Sequence, residues 1–362
     1  MKDEILNDQG VALIKKNQFN EALICFEKAL EFTPDHTDAL HNLGFVHHKL
    51  GELDQAVRVY KRVVAIDPTY ALGSENKVLS VIYFFSKGDM QKALEILNIL
   101  VKKNPKDALL FNMLGGCFAS LGQAEMAIKN YQKALEFEPE YAIPKHMLNS
   151  LTGHTSKEPP KQYVKNLFDD YAYRFNDALV NNLKYSLPFI IKELILKSNS
   201  AKSQYQNVID LGCGTGLAGK NLREISTNLS GIDISENMIC EAEKLDIYDT
   251  LLIGDIVEKL NESQDKFDLL VALDVLVYIG DVQSTFKAVH KSCKSDSLFV
   301  FSVELQDENG YSLLKSSRYA HADEYIMDQT NGLFDLVNSQ NLRLRKEGEH
   351  WIEGRIYVLR AS

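Results

Sequence analysis

Three acids at corresponding places give the second half of this chain its chemistry. The stretch Asp210-Leu211-Gly212-Cys213-Gly214-Thr215-Gly216-Leu217 closes an apolar run that starts at Asn207 and leads into a helical pattern. A glycine-rich turn between strand and helix lets a ligand approach the backbone closely. Asp233 lies at the end of the next apolar run, Leu229–Ile234, where its carboxylate can accept both hydroxyls of a ribose. Asp255 follows Thr250–Ile253 and can accept from an adenine amino group. Gly214, Gly216 and Gly219 also satisfy the GxGxxG spacing of dinucleotide sites. A pyrophosphate, however, would meet a helix N-terminus beside the repelling carboxylate of Asp210. S-adenosylmethionine has no phosphate and carries an ammonium group for Asp210. The acid triple therefore selects S-adenosylmethionine over NAD. The expected cofactor contacts in this region are Asp210, Gly212, Cys213, Gly214, Gly216, Asp233, Ile234, Met238, Asp255, Ile256 and Leu273.

Such acids need strands to present them. Further apolar runs at Phe267–Leu273, Leu298–Val303, Leu342–Glu347 and Ile356–Arg360 bring the count to seven, and helical patterns separate the first five. Alternating strands and helices predict an α/β Rossmann-like domain with a mostly parallel seven-stranded sheet covered on both faces. A turn near Glu353-Gly354 makes one of the last two strands antiparallel. The polar stretch 152–162, with Gly153 and Pro159-Pro160, predicts a linker, so the catalytic domain spans 163–362.

The chain before the linker repeats itself. Pro34, Pro68, Pro105 and Pro139 recur at intervals of 34, 37 and 34, with Ala22, Ala56, Ala93 and Ala127 at fixed distances before them. Phe26, Tyr60, Leu97 and Tyr131 form a third series, and Gly10, Gly44 and Gly115 stand in the first helices. Each unit reads as two amphipathic helices meeting at the Gly/Ala pair, with the ring filling the gap to the next unit and proline ending the second helix. Val81 replaces glycine in the third unit, which predicts looser packing or an altered angle there. This pattern resembles the tetratricopeptide repeat. It implies an all-α solenoid over residues 1–151, with four repeats and a capping helix from Tyr141 to Leu151. Such arrays present a groove to a protein or peptide, and the resemblance maps to it Asn7, Val11 and Ile14, then His41, Phe45 and His48, then Val78, Ile82 and Phe85, and finally Asn112 and Gly116.

Residues 163–362 resemble class I S-adenosylmethionine-dependent methyltransferases. Leu167-Phe168-Asp169-Asp170-Tyr171-Ala172-Tyr173-Arg174-Phe175-Asn176 is similar to the entrance helix of bacterial repeat-containing methyltransferases, with Asn176 in place of an acid. Leu273 to Asp281 is similar to that group's segment after the fourth strand, and Ser317-Arg318-Tyr319-Ala320-His321 to a late loop that usually begins with glycine. The resemblance implies a methyltransferase whose repeats recruit the acceptor, a protein being favoured. A small-molecule or carrier-linked acceptor, with the repeats serving assembly, is the alternative. A catalytically silent scaffold is a further one, against which the intact acid triple counts.

Transfer of a methyl group from a sulfonium asks the protein to align the nucleophile, exclude water and, where needed, remove a proton. Tyr278, Tyr319 and His321 are the candidates for that work, with Arg318 positioning the acceptor and Tyr171 and Phe175 closing over the methionine end of the cofactor. After the fourth strand, some amino-group methyltransferases carry Asp/Asn-Pro-Pro-aromatic. Here Asp274-Val275-Leu276-Val277 stands there, which disfavours glutamine or nucleobase N-methylation. The Asp-Asn pair of metal-dependent catechol-type relatives is missing, so no metal is expected. Forty basic against fifty acidic residues give a net charge of −10, which disfavours a nucleic-acid partner. Five scattered cysteines without a CxxC pair suit reduced thiols and a cytoplasmic location, and no apolar run is long enough for a membrane span.

Overall fold

The computed structural model describes residues 2–67, 69–70, 77–172, 185, 187–199, 202–347 and 350–362. The chain divides into two compact units, Met1–Thr152 and Gly153–Ser362.

The first unit is built from helix pairs: α1 (Lys2–Ile14) with α2 (Phe19–Phe32), α3 (Thr37–Lys49) with α4 (Leu53–Ile66), α5 (Lys77–Ser86) with α6 (Met90–Lys103), and α7 (Ala108–Ser120) with α8 (Ala124–Phe137). The helix α9 (Ala142–Thr152) packs on α8. A Cβ on Gly10 would lie 2.6 Å from the Phe26 ring, on Gly44 2.6 Å from Tyr60, and on Gly115 2.5 Å from Tyr131. The ring thus packs on the glycine of its own helix pair. A methyl group there would overpack a filled site, at about 1–3 kcal/mol. The third pair makes the reciprocal choice: Val81 brings the volume to the first helix, Leu97 gives up the ring on the second, and both are fully buried. Volume is exchanged within the pair.

The second unit opens with α10 (Lys161–Tyr171) and α11 (Leu187–Ser198). Strands and helices then alternate: β1 (Tyr205–Leu211), α12 (Gly219–Arg223), β2 (Ser226–Asp233), α13 (Glu236–Glu243), β3 (Thr250–Ile253), α14 (Ile256–Glu262), β4 (Phe267–Ala272), α15 (Gln283–Lys291) and β5 (Cys293–Leu305). Two short strands follow, β6 (Tyr311–Leu313) and β7 (Tyr319–His321), then α16 (Asp323–Thr330), β8 (Phe334–Glu347) and β9 (His350–Ala361). The parallel order is β3-β2-β1-β4-β5; β9 runs antiparallel to β5, and β8 antiparallel to β9. The seven principal strands are those expected, and β6 and β7 make the sheet nine-stranded. The chain changes direction across the sheet between β1 and β4, and their carboxyl ends open a crevice there.

Two sequence expectations shift in this unit. Gly354 lies inside β9 and not in a turn: a Cβ there would collide with Leu344 and lie 2.5 Å from the Val303 carbonyl. The register of β8 slips between Arg343 and Arg345, a bulge that turns the successive residues Leu344 and Arg345 both into the interior. The segment read as a linker is bound along the second unit. Thr155 Oγ1 accepts from the Leu313 amide at 3.2 Å, Ser156 Oγ meets Tyr319 Oη at 2.8 Å, and the Lys157 carbonyl accepts from the Asp281 amide at 2.7 Å. This strap crosses Gly280, where a Cβ would lie 2.7 Å from the Lys157 carbonyl oxygen. Among the described residues no helix is long and apolar enough to cross a membrane.

Candidate active site

The crevice holds a cleft of about 540 Å³ entirely within the second unit, lined by residues from the ends of β1 to β4, from α10 and α11, and from the loop before β7. Gly212 and Gly216 adopt φ of +69° and +84°, a conformation glycine takes without steric cost. Just before them Asp210 is the penultimate residue of β1, buried, and its Oδ2 accepts from the Tyr248 hydroxyl at 2.8 Å. The Tyr248 ring packs on three glycines. Cβ atoms at Gly216, Gly219 and Gly231 would lie 3.2, 2.5 and 3.1 Å from its carbons. The last two glycines of the GxGxxG spacing, with Gly231, therefore make room for a tyrosine that holds a carboxylate, and that tyrosine is a site residue the sequence did not reveal.

Asp233 is buried at the end of β2. Its Oδ2 accepts from the Gly214 amide at 2.8 Å and its Oδ1 from the Ser235 amide at 2.9 Å, which ties the glycine loop to α13. Each oxygen keeps a lone pair for a ribose hydroxyl. Burial pushes the Asp210 carboxyl up to about 7, with the Tyr248 hydrogen bond opposing the shift and the Asp233 charge adding to it. Burial pushes Asp233 up to about 6 against the pull of its backbone hydrogen bonds. A buried, uncompensated carboxylate favours a cationic ligand. Asp255 caps α14 by accepting from the Glu258 amide at 3.0 Å, and its other oxygen lies 3.3 Å from Lys161 Nζ on α10. These donors and acceptors fit S-adenosylmethionine: Asp210 for its ammonium, Asp233 for the ribose, Asp255 at the adenine end. A pyrophosphate would find Asp210 where it needs amides.

The entrance helix is held by an acid overlooked as a site residue. Buried Asp169 accepts from Ser235 Oγ at 2.7 Å, and Ser235 in turn caps α13 by accepting from the Met238 amide. Of the expected cofactor residues, Asp210, Gly212, Cys213, Gly214, Asp233, Ile234, Asp255, Ile256 and Leu273 line the cleft. Gly216 instead supports Tyr248, and Met238 is buried in α13. Burial raises the Cys213 thiol far above its ordinary value, which leaves it no thiolate character. Phe175 and the Tyr171 side chain lie outside the described residues.

On the acceptor side, Tyr278 and Arg318 both line the cleft. Arg318 Nε donates to Tyr278 Oη at 3.2 Å, and the Tyr278 ring meets Phe168 edge-on with centroids 5.0 Å apart. Tyr319 and His321 stand elsewhere. Tyr319 is fully buried and bound to Ser156 of the strap. His321 Nε2 faces the carbonyls of Ile279 and Gly280 at 2.9 and 3.0 Å, and burial lowers its pKa to about 4. Both secure the strap and the loop it crosses.

The groove positions make contacts inside the repeat array. His48 Nε2 lies 3.0 Å from Asp107, whose carboxylate also caps α7, and His41 Nδ1 lies 3.3 Å from Tyr70 Oη. Phe85 packs on Gly116, the Phe45 ring lies under Lys49, and Val78 and Ile82 belong to the core. Among the described residues no group of three His, Cys, Asp or Glu could hold a metal ion.

Comparison with known proteins agrees with this class of site. Residues 174–347 match the family model described as a methyltransferase domain, and tetratricopeptide-repeat models match residues 10–51, 37–70 and 80–142. The chain thus carries tetratricopeptide repeats followed by a methyltransferase domain. It is 26 % identical over 144 residues to a protein of Geobacillus sp. strain WCH70 provisionally described as a methyltransferase, covering 38 % of this chain and 57 % of that one. It is 26 % identical over 181 residues to the malonyl-[acyl-carrier protein] O-methyltransferase of Halalkalibacterium halodurans, covering 48 % and 66 %. The chain spans less than two thirds of either relative. Among solved structures it is similar to the N-methyltransferase NodS of Bradyrhizobium japonicum in complex with S-adenosyl-L-homocysteine, at 16 % identity and a TM-score of 0.39, covering 47 % and 85 %.

Proposed function

We propose that the protein transfers a methyl group from S-adenosylmethionine and that its repeats recruit the acceptor, a protein. The carrying observation is the pair of buried carboxylates, Asp210 and Asp233, at the ends of adjacent parallel strands in one cleft. Bound there, S-adenosylmethionine would supply an electrophilic methyl group. Asp210 and Asp233 hold and orient, the walls from Phe168, Val275 and Tyr278 exclude water, and Arg318 and Tyr278 stand at the acceptor side. Calorimetry tests this. The full chain should bind S-adenosylmethionine and S-adenosylhomocysteine, and Asp233→Asn should weaken both by about 10–100-fold through loss of a charge-assisted contact. Tighter binding of NAD would refute it.

A second reading places the acceptor on a small molecule or carrier and gives the repeats to assembly. It is supported by the internal contacts of His41, His48 and Phe85, which leave those side chains already engaged.

A further inference from the structure

We propose that Tyr185 and Asp274 form the acceptor subsite of the cleft, and that it takes a reacting atom bearing a hydrogen, an amine or a hydroxyl, in preference to a carboxylate. This rests on the methyl-donor reading of the site.

Tyr185 lines the cleft, only 5 % exposed, and its hydroxyl has no hydrogen-bond partner among the described residues. A buried hydroxyl without a partner is costly, so it points to a ligand group that completes it. The charged groups acting on it are Asp274, Arg345 and Asp210. Asp210 and Asp274 line the same cleft.

Asp274 is held in place from several sides. Its backbone has φ of +58°, uncommon for a residue other than glycine, and its amide donates to Ser302 Oγ at 2.9 Å. Its Oδ1 accepts from Arg345 Nη1 at 2.9 Å, and Arg345, with no side-chain exposure, also pairs with Glu304. Oδ2 has no partner among the described residues, and Asp274 lines the cleft. A buried ion cluster contributes little to stability compared with apolar residues of equal volume. Placing one of its carboxylates in the cleft wall gives this cluster a purpose that stability does not. Both subsite groups offer lone pairs, Asp274 Oδ2 and Tyr185 Oη. They accept N–H or O–H hydrogens and leave the acceptor's own lone pair turned toward the methyl group. A carboxylate acceptor has no hydrogen to offer and would face Asp274.

The test needs no knowledge of the acceptor. The full chain is titrated with S-adenosylhomocysteine and with sinefungin, the analogue in which a carbon bearing an amine replaces the sulphur. That ammonium projects where the transferred methyl group would sit. Wild type should bind sinefungin about tenfold more tightly than S-adenosylhomocysteine, the effect of one charge-assisted hydrogen bond. Tyr185→Phe and Asp274→Asn should each abolish most of that preference, with S-adenosylhomocysteine affinity held within about twofold. Tyr185→Phe removes only an oxygen without a partner, so its melting temperature should not fall. It carries the test even if Asp274→Asn, which strips Arg345 of a counter-charge, does not fold. An unchanged preference in Tyr185→Phe overturns the proposal. So does tighter binding of S-adenosylhomocysteine by wild type, the pattern of a carboxylate subsite built on Arg318. Binding of neither ligand overturns the methyl-donor reading itself.

Discussion

Replacing Asp210 by Asn should make the ligand-free protein more stable while impairing cofactor binding. The Asp210 carboxyl is raised from an ordinary value near 4 to about 7 by burial. Below pH 4 both folded and unfolded chains hold the proton, and the substitution should be nearly neutral. Between pH 4 and 7 the unfolded chain ionises and the folded one resists, so wild type loses stability as pH rises, and the loss levels off above pH 7. Three units at 1.36 kcal/mol each set the penalty on the order of 4 kcal/mol. Asn keeps the shape and an oxygen for the Tyr248 hydroxyl, so most of that penalty, about 2–4 kcal/mol, should be recovered. For a unit of this size that corresponds to a melting temperature higher by roughly 5–12 °C at pH 8. Thermal unfolding of both proteins from pH 4.5 to 8.5, followed on the transition that S-adenosylhomocysteine shifts, reads the difference directly. Calorimetry on the same samples should show the variant binding S-adenosylhomocysteine about 10–100-fold more weakly at pH 8, where the lost charge pairs with an ammonium. A variant less stable than wild type at pH 8, or a stability gap that does not widen from pH 4.5 to 7, would refute the reasoning.

Gly219→Ala should destabilise the second unit by about 1–3 kcal/mol, because its methyl group would overlap the Tyr248 ring. Adding Tyr248→Ala should restore part of the loss, and a double-mutant cycle in denaturant reads that coupling. Tyr319→Phe should lower stability by about 0.5–1.5 kcal/mol through the lost Ser156 hydrogen bond. It should leave S-adenosylhomocysteine affinity and turnover unchanged, since the side chain holds the strap and does not line the cleft.

The acids that line the cleft were legible because each sits beside its own strand. Asp210, Asp233 and Asp255 are recognised from an apolar run and a turn within a few residues. The repeats were legible for the same reason, their series of alanines, rings and prolines being local and periodic. Tyr248 was not, since it reaches Asp210 from 38 residues away and stands in a stretch with no motif. Arg345 lies in Arg343-Leu344-Arg345-Lys346, which reads as an exposed basic strand until the bulge turns it inward toward Asp274, 71 residues distant. Tyr319 and His321 mislead in the opposite direction. Their side chains have the chemistry of an active site, and only burial and the strap show what they hold.

One ring sets the tolerance of a distant glycine to change. Tyr248 packs against Gly216, Gly219 and Gly231, and because it alone fills the space beside Gly219, those two positions should drift together among descendants of this sequence. Where residue 248 shrinks, alanine becomes admissible at Gly219, whose near neighbours all belong to that ring, while Gly216 keeps its positive φ and Gly231 still faces Leu251; the last glycine of the GxGxxG spacing then ceases to be obligatory. Such lineages would keep the acids and the cleft while losing the pattern by which the loop is first noticed.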